Sequence, residues 1–262
     1  MTTLDLPDVG YGTGGATKED VVRALRVGYR HLDTAQMYEN EADVGEAVAE
    51  SDVDRDDIVL ATKVRPENLA PEDVKRTAKE SLDRLGVEKV EMLYVHWPTA
   101  AYDAEETLPA LDELREEGLV DHVCLSNFTP ALLDETREVL ESPVAAHQVE
   151  CHPLFPQEEL RAYAEEHDHR LVAYVPLARG EIFDHPVVSE VAERRGASAA
   201  QVCLAWAVEK GVVPIPKGSG DHAADNLAAT EVGLDRADLE KLDGIEERRR
   251  VVDPETAPWN RA

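Results

Sequence analysis

Four titratable side chains stand at or near the places where short apolar runs stop. Asp33 lies at the end of YRHLDT, Lys63 in DIVLATKV, His96 in VEMLYVHW, and Tyr38 in the segment after Asp33. A phenol, an ammonium, a carboxylate and an imidazole together suit proton transfer to a reacting oxygen. The phenol would donate, and the ammonium would lower its pKa from the free value near 10. The carboxylate would hold the ammonium charged, and the imidazole would direct the oxygen. Taken singly, a lysine or histidine at a strand end is usually a structural ion pair or a satisfied core group. Four groups on three successive strand ends are another matter, because adjacent strands of a closed parallel sheet deliver them to one mouth.

Such delivery requires parallel strands, each followed by a returning helix, and the chain alternates in that way from end to end. YRHLDT precedes a helical pattern at 41–50, DIVLATKV one at 71–85, VEMLYVHW one at 106–117, and DHVCLSN one at 130–140. AAHQVE then precedes 157–167, RLVAYVPL precedes 187–209, and VVPIPK precedes 222–229. With an opening strand at 9–13 and a helix at 18–27, this makes about eight strand–helix units undivided by any Pro-, Gly- or Ser-rich linker. The predicted fold is α/β, a (β/α)8 TIM barrel forming a single domain over residues 1–262. A competing signal is VGYGTGGA at 9–16, where Gly10, Gly12 and Gly15 spell the G-x-G-x-x-G of a Rossmann dinucleotide loop, with Asp33 near the offset of a ribose-binding carboxylate. A doubly wound sheet needs only about six strands. Rossmann enzymes that use tyrosine and lysine carry them as Y-x-x-x-K, and no tyrosine here has a lysine four residues on. The glycines are therefore read as the tight exit of the first strand.

Composition narrows the partners. The 262 residues are 43% hydrophobic, enough for a large core, and no run approaches the roughly 18 to 20 apolar residues of a membrane span. With no basic, apolar leader in MTTLDLPDV, a soluble cytoplasmic protein is expected. Cys124, Cys151 and Cys203 share no C-x-x-C spacing and sit in apolar segments, so buried thiols are expected, with neither disulfide nor metal. A formal net charge of −28 excludes nucleic acid and anionic membrane as partners. The acids are spread over nearly every helix, as in LDELREEG at 111–118, a solvated shell that resembles proteins working in high salt.

GYRHLDTAQMYENE, ATKV, LYVHWP, LSNF, HQVECHP and IPK resemble the successive signatures of the aldo-keto reductase superfamily, in order and nearly end to end. The resemblance implies a barrel that binds NADPH, with NADH possible, and reduces small-molecule aldehydes and ketones. It assigns Asp33, Tyr38, Lys63 and His96 to the catalytic tetrad, with Tyr38 as proton donor. Ser126, Asn127 and Gln148 fall on the nicotinamide-amide positions, and Tyr174 on the aromatic against which that ring stacks. Gly12, Thr13, Asp33, Leu177, Lys217, Ser219, His222 and Asn226 complete the cofactor set. His222 stands where the family carries an arginine for the 2′-phosphate; a histidine, with an ordinary pKa near 6.5, offers less charge than a guanidinium fork. Tyr11, His96, Trp97 and Trp259 are the expected substrate-pocket lining, with Phe128 either lining or core.

Departures from the family are His147 before the glutamine in place of asparagine, a missing plug hairpin before Val9, and a brief C-terminal stretch, VVDPETAPWNRA. Two other classes stay open. One is a nicotinamide-nucleotide-binding regulator of the same fold without turnover. The other is a metal-dependent barrel hydrolase, disfavoured because His31 and Asp33 are not expected to face inward together beside a second histidine. The acid excess predicts that folding requires molar salt, where screening shortens self-repulsion to about 3 Å. Circular dichroism and activity should both fall on dialysis; full stability in about 50 mM salt would show the acids to be locally compensated.

Overall fold

The computed structural model describes residues 4–260. Eight parallel strands run in sequential order: β1 (Tyr11–Gly12), β2 (His31–Asp33), β3 (Val59–Val64), β4 (Val90–Val95), β5 (Val120–Ser126), β6 (Ala146–Glu150), β7 (Arg170–Tyr174) and β8 (Val212–Pro214). The ring closes by backbone: the Gly10 amide donates to the Pro214 carbonyl at 2.9 Å and the Gly12 amide to the Pro216 carbonyl at 3.1 Å. This is the (β/α)8 barrel read from the sequence, and its strand order is not that of a doubly wound sheet. A Cβ on Gly10 would stand 2.5 Å from His31 Nδ1, and one on Gly12 would stand 2.8 Å from the Ile215 carbonyl oxygen. Barrel closure thus explains the first two glycines that spell a dinucleotide loop. Gly15, at φ 84°, serves the turn that follows.

The helices are α1 (Lys18–Val27), α2 (Glu41–Glu50), α3 (Pro71–Leu85), α4 (Ala104–Glu116), α5 (Pro130–Val139), α6 (Glu158–Glu166), α7 (Pro186–Arg195), α8 (Ala199–Glu209), α9 (His222–Leu227) and α10 (Arg236–Asp243). Thr17 opens α1 with a capping box to Asp20, and the apolar stripe Val21, Ala24, Leu25 turns inward at helical spacing. The single helix expected at 187–209 is two. Gly196, at φ 64°, ends α7, and Ser198 restarts the chain as α8 through a capping box with Gln201. The first strand is also shorter than 9–13, and α10 follows the predicted units, begun by the Asp235–Asp238 box.

Strand alternation divides the core in two. Leu32, Leu60, Leu93 and Leu125 face the helices, each contributing about 1.5–3 kcal/mol by burial. Ala61, Met92, Tyr94, Cys124, Ala146, Val172, Val213 and Ile215 fill the barrel, and Leu6 joins them. His31 and Asp33, two apart on β2, share the inward face, contrary to the expectation that they would not. Among the described residues no three His, Cys, Asp or Glu side chains gather into a metal-sized cluster. The three cysteines are free and buried, and no helix is long and apolar enough to cross a membrane.

Candidate active site

At the C-terminal ends of β2 and β3, Asp33 and Lys63 form a short buried ion pair. The Lys63 ammonium also donates to the Thr34 carbonyl at 2.9 Å, and the other Asp33 oxygen accepts from Gln148 Nε2 at 2.7 Å. The ammonium lies 5.2 Å from the centre of the Tyr38 ring and 5.7 Å from that of Tyr94. Tyr38 sits on the one-turn helix 36–38 after β2, edge-on to His96 with ring centres 5.8 Å apart. The four side chains predicted to act together are therefore brought together.

Electrostatics differ in one respect from the sequence expectation. Burial pushes the Tyr38 pKa above its ordinary value; Lys63 pulls it down but does not overcome burial. Tyr38 stands as a neutral phenol with its proton in place. Burial opposes the charge on Lys63, yet Asp33 and Tyr38 outweigh it and the ammonium is held more firmly than usual. His96 is kept well below its ordinary value, by burial first and by Lys63 second, so its imidazole is neutral near pH 7.

These groups open on a cavity of about 700 Å³ walled by Gly12, Tyr38, His96, Trp97, Tyr174 and Leu177 among others. A second cavity of about 710 Å³ adjoins it, sharing Gly12, Gly14, Leu177, Phe183 and Lys217 and continuing past Ser219, His222 and Asn226. The two form a long cleft across the barrel mouth, catalytic groups at one end and the β8–α9 loop at the other. The Aldo/keto reductase family model matches residues 16–247.

The chain belongs to the aldo/keto reductase family.

It is similar to methylglyoxal reductase DkgB of Escherichia coli O157:H7, 35% identical over 96% of this chain and 97% of that protein. It is 37% identical to glycerol 2-dehydrogenase (NADP(+)) of Hypocrea jecorina, over 83% of this chain and 82% of that one. The structure of aldose reductase from Schistosoma japonicum superposes with a TM-score of 0.92 at 27% identity, covering 97% of this chain and 93% of that chain. Reduction of carbonyls with a nicotinamide cofactor is the chemistry of an aldo/keto reductase, and of this one.

In this aldo/keto reductase the nicotinamide-amide candidates form a linked set. Ser126 Oγ donates to the Gln148 carbonyl at 2.9 Å, and Asn127 Nδ2 donates to Ser126 Oγ and to the His96 carbonyl, both at 3.0 Å. The Tyr174 hydroxyl donates to Asn127 Oδ1 at 2.7 Å. Asn127 holds a left-handed φ of 65°, which asparagine tolerates. Three expectations are corrected, for Tyr11, Thr13 and Trp259, and Phe128, left open between lining and core, falls in the core. Tyr11 does not line the catalytic cavity: β1 turns its side chain outward, where the hydroxyl donates to the Gly218 carbonyl at 2.7 Å beside the second cavity. Thr13 is buried with its hydroxyl on the Asp33 carbonyl at 3.0 Å, off the cavity wall. Trp259 stands behind Trp97, ring centres 5.6 Å apart. Phe128 is core, packed edge-on to Tyr102.

Sequence reasoning missed Met37, Arg179, Phe183 and Val252 on the catalytic-cavity wall. Phe183 and Met37 are conspicuous only by their exposure, and Arg179 by a left-handed φ of 54°. Burial also holds other imidazoles neutral: His31 at about 4, His169 at about 4 and His147 at about 3. An unfolded imidazole titrates near 6.5, so between that value and about 4 the unfolded chain binds more protons. The stability these groups contribute is fully present above pH 6.5 and lost as pH falls toward about 4. In about 2 M salt, which screens the carboxylates, the urea midpoint should drop between about pH 7 and pH 5. A flat midpoint across that interval would show these imidazoles to be protonated in the folded protein.

Proposed function

We propose that this chain reduces small aldehydes and ketones with a preference for NADPH, Tyr38 giving the proton to the carbonyl oxygen. The observation that carries the reading is a neutral Tyr38 phenol and a neutral His96 imidazole on one cavity wall, above the buried Lys63–Asp33 pair. When bound, the nicotinamide supplies a hydride to the carbonyl carbon. Negative charge then grows on the oxygen, where a positioned acid is worth most. Tyr38 donates there, and Lys63 stabilises the phenolate left behind. Asp33 keeps Lys63 charged and aimed, and His96 offers its ring N–H to orient the oxygen. The similarity to a methylglyoxal reductase supports a small carbonyl substrate.

The residues present fit a dinucleotide. The cleft is long, and at the junction of its two cavities Lys217 is exposed, with neither hydrogen bond nor ion pair among the described residues. Partial desolvation, then Arg179 and Lys63, hold its pKa down, as expected of an ammonium awaiting an anion. Leu177 and Gly12 border both cavities, and Ser126, Asn127, Gln148 and Tyr174 flank the catalytic end. The NADP(+) dependence in the name of the Hypocrea jecorina relative supports the phosphorylated cofactor. Lys217, Ser219, His222 and Asn226 are the candidates for its 2′-phosphate. Asp20 and Asp225 border the same cavity and oppose an anion there. The preference is therefore modest.

Tyr38→Phe should leave cofactor affinity intact and reduce kcat by about 10²–10⁴, the range of general acid catalysis. A loss under tenfold would remove Tyr38 as donor. The ratio of kcat/KM for NADPH over NADH should exceed one, and His222→Ala should lower it. A ratio below one in the parent would make this an NADH enzyme, and an unchanged ratio in His222→Ala would exclude His222 as the phosphate contact.

A further inference from the structure

Glu150, the last residue of β6, has a fully buried side chain whose strongest partners lie at the other end of the sequence. Its Oε1 accepts from the Val251 amide at 2.6 Å and its Oε2 from the Val252 amide at 2.8 Å. His152 Nε2 donates to Oε1 at 3.0 Å, which fixes the carboxylate from the other side. The Arg249 amide donates to the Leu154 carbonyl at 2.9 Å, so four consecutive residues, 249–252, are laid along the β6–α6 loop. Arg249 reaches further and pairs with Glu181 at 2.5 Å, beyond β7.

What this arm carries faces the substrate. Val252 is part of the catalytic-cavity wall. The guanidinium of Arg250 lies 3.7 Å from the centre of the Trp259 ring and 4.4 Å from that of Phe155. Trp259 in turn backs Trp97, itself on the cavity wall, and its indole N–H donates to Asp253 at 2.8 Å. Val251 packs against the main core, and the charge-assisted pair of hydrogen bonds from Glu150 to adjacent amides is the polar restraint on where Val252 stands and on which surface of Trp97 is free.

We infer that Glu150 is a positioning residue for substrate selection. It acts by clamping the Val251 and Val252 amides, and through them the wall formed by Val252 and the Arg250–Trp259–Trp97 stack. The inference rests on the reading of the catalytic cavity as the carbonyl site. Glu150→Gln keeps one acceptor and turns the other oxygen into an N–H donor facing an amide donor, so one clamp bond is lost with little change of shape. Val251→Pro deletes one donor from the arm side and leaves the barrel interior untouched.

Both variants should raise the KM for a small aldehyde by roughly tenfold, the equivalent of one charge-assisted bond. NADPH affinity, read by protein fluorescence, should stay within about twofold, and kcat should fall by less than about threefold. In the full-length Glu150→Gln/Val251→Pro double variant the KM should exceed that of either single variant by less than about threefold, since both changes break the same clamp. Tryptic cleavage after Arg248 and Arg249 should be faster in both variants than in the parent, a readout that needs no turnover and avoids the trypsin-resistant Arg–Pro bond of Val251→Pro. Faster cleavage with no carbonyl reduction by parent or variant would defeat the functional reading and leave the clamp standing. Unchanged cleavage and KM in Val251→Pro, or fully multiplicative KM effects in the double variant, would overturn the inference.

Discussion

Everything at the barrel mouth depends on keeping one ammonium, that of Lys63, charged where it has no access to water. Removing one partner of such a buried pair strands the other, at a cost of about 3–5 kcal/mol. The structure meets that demand from three directions: Asp33 on the neighbouring strand, the Thr34 carbonyl, and the ring faces of Tyr38 and Tyr94. Asp33 is itself fixed by Gln148, which comes from β6. In a flat sheet β2 and β6 stand four strands apart; only a sheet closed on itself brings their side chains within a hydrogen bond. The ion pair and the closed barrel therefore imply one another.

The same demand sets the sizes of the interior residues. His31, Asp33, Lys63 and Tyr94 are large or charged, and they can share the barrel only because Gly10, Gly12 and Ala61 are small. A methyl group on Gly10 would collide with the His31 ring, and one on Gly12 with the backbone after β8. Two glycines that imitate a phosphate loop in the sequence are thus spacers for polar side chains and for ring closure. Where the barrel narrows below them, Leu6, Met92, Val172 and Val213 restore an apolar fill.

The fold and the four central residues were legible because each depends on local pattern: β-branched runs followed by helical spacing, about eight times over, with titratable groups at or just after three successive strand ends. The Gly196–Ser198–Gln201 signal that splits 187–209 is equally local and was passed over because apolar residues on both sides continue the helical period. Other features were beyond local pattern. A two-residue β1 gives no alternation from which to aim Tyr11. Trp259 stands behind Trp97 because Arg250 holds it there, and Glu150 meets amides 101 and 102 residues away. The direction of the Tyr38 shift is a contest between burial and Lys63, and burial is a property of the assembled mouth alone.

Charge is organised on two scales that pull in opposite directions. The chain as a whole carries −28, yet the cleft holds Arg179 and, where its two cavities meet, a Lys217 with no ion-pair partner among the described residues. A phosphate-bearing ligand is repelled by the acidic shell at a distance and attracted by these cations on contact. The two effects respond differently to salt, because long-range fields are screened within a few ångströms near 1 M while close, partly buried pairs are screened much less. High salt therefore relieves the repulsion that opposes both the compact shell and the approach of an anion, and it leaves the contacts inside the cleft largely intact.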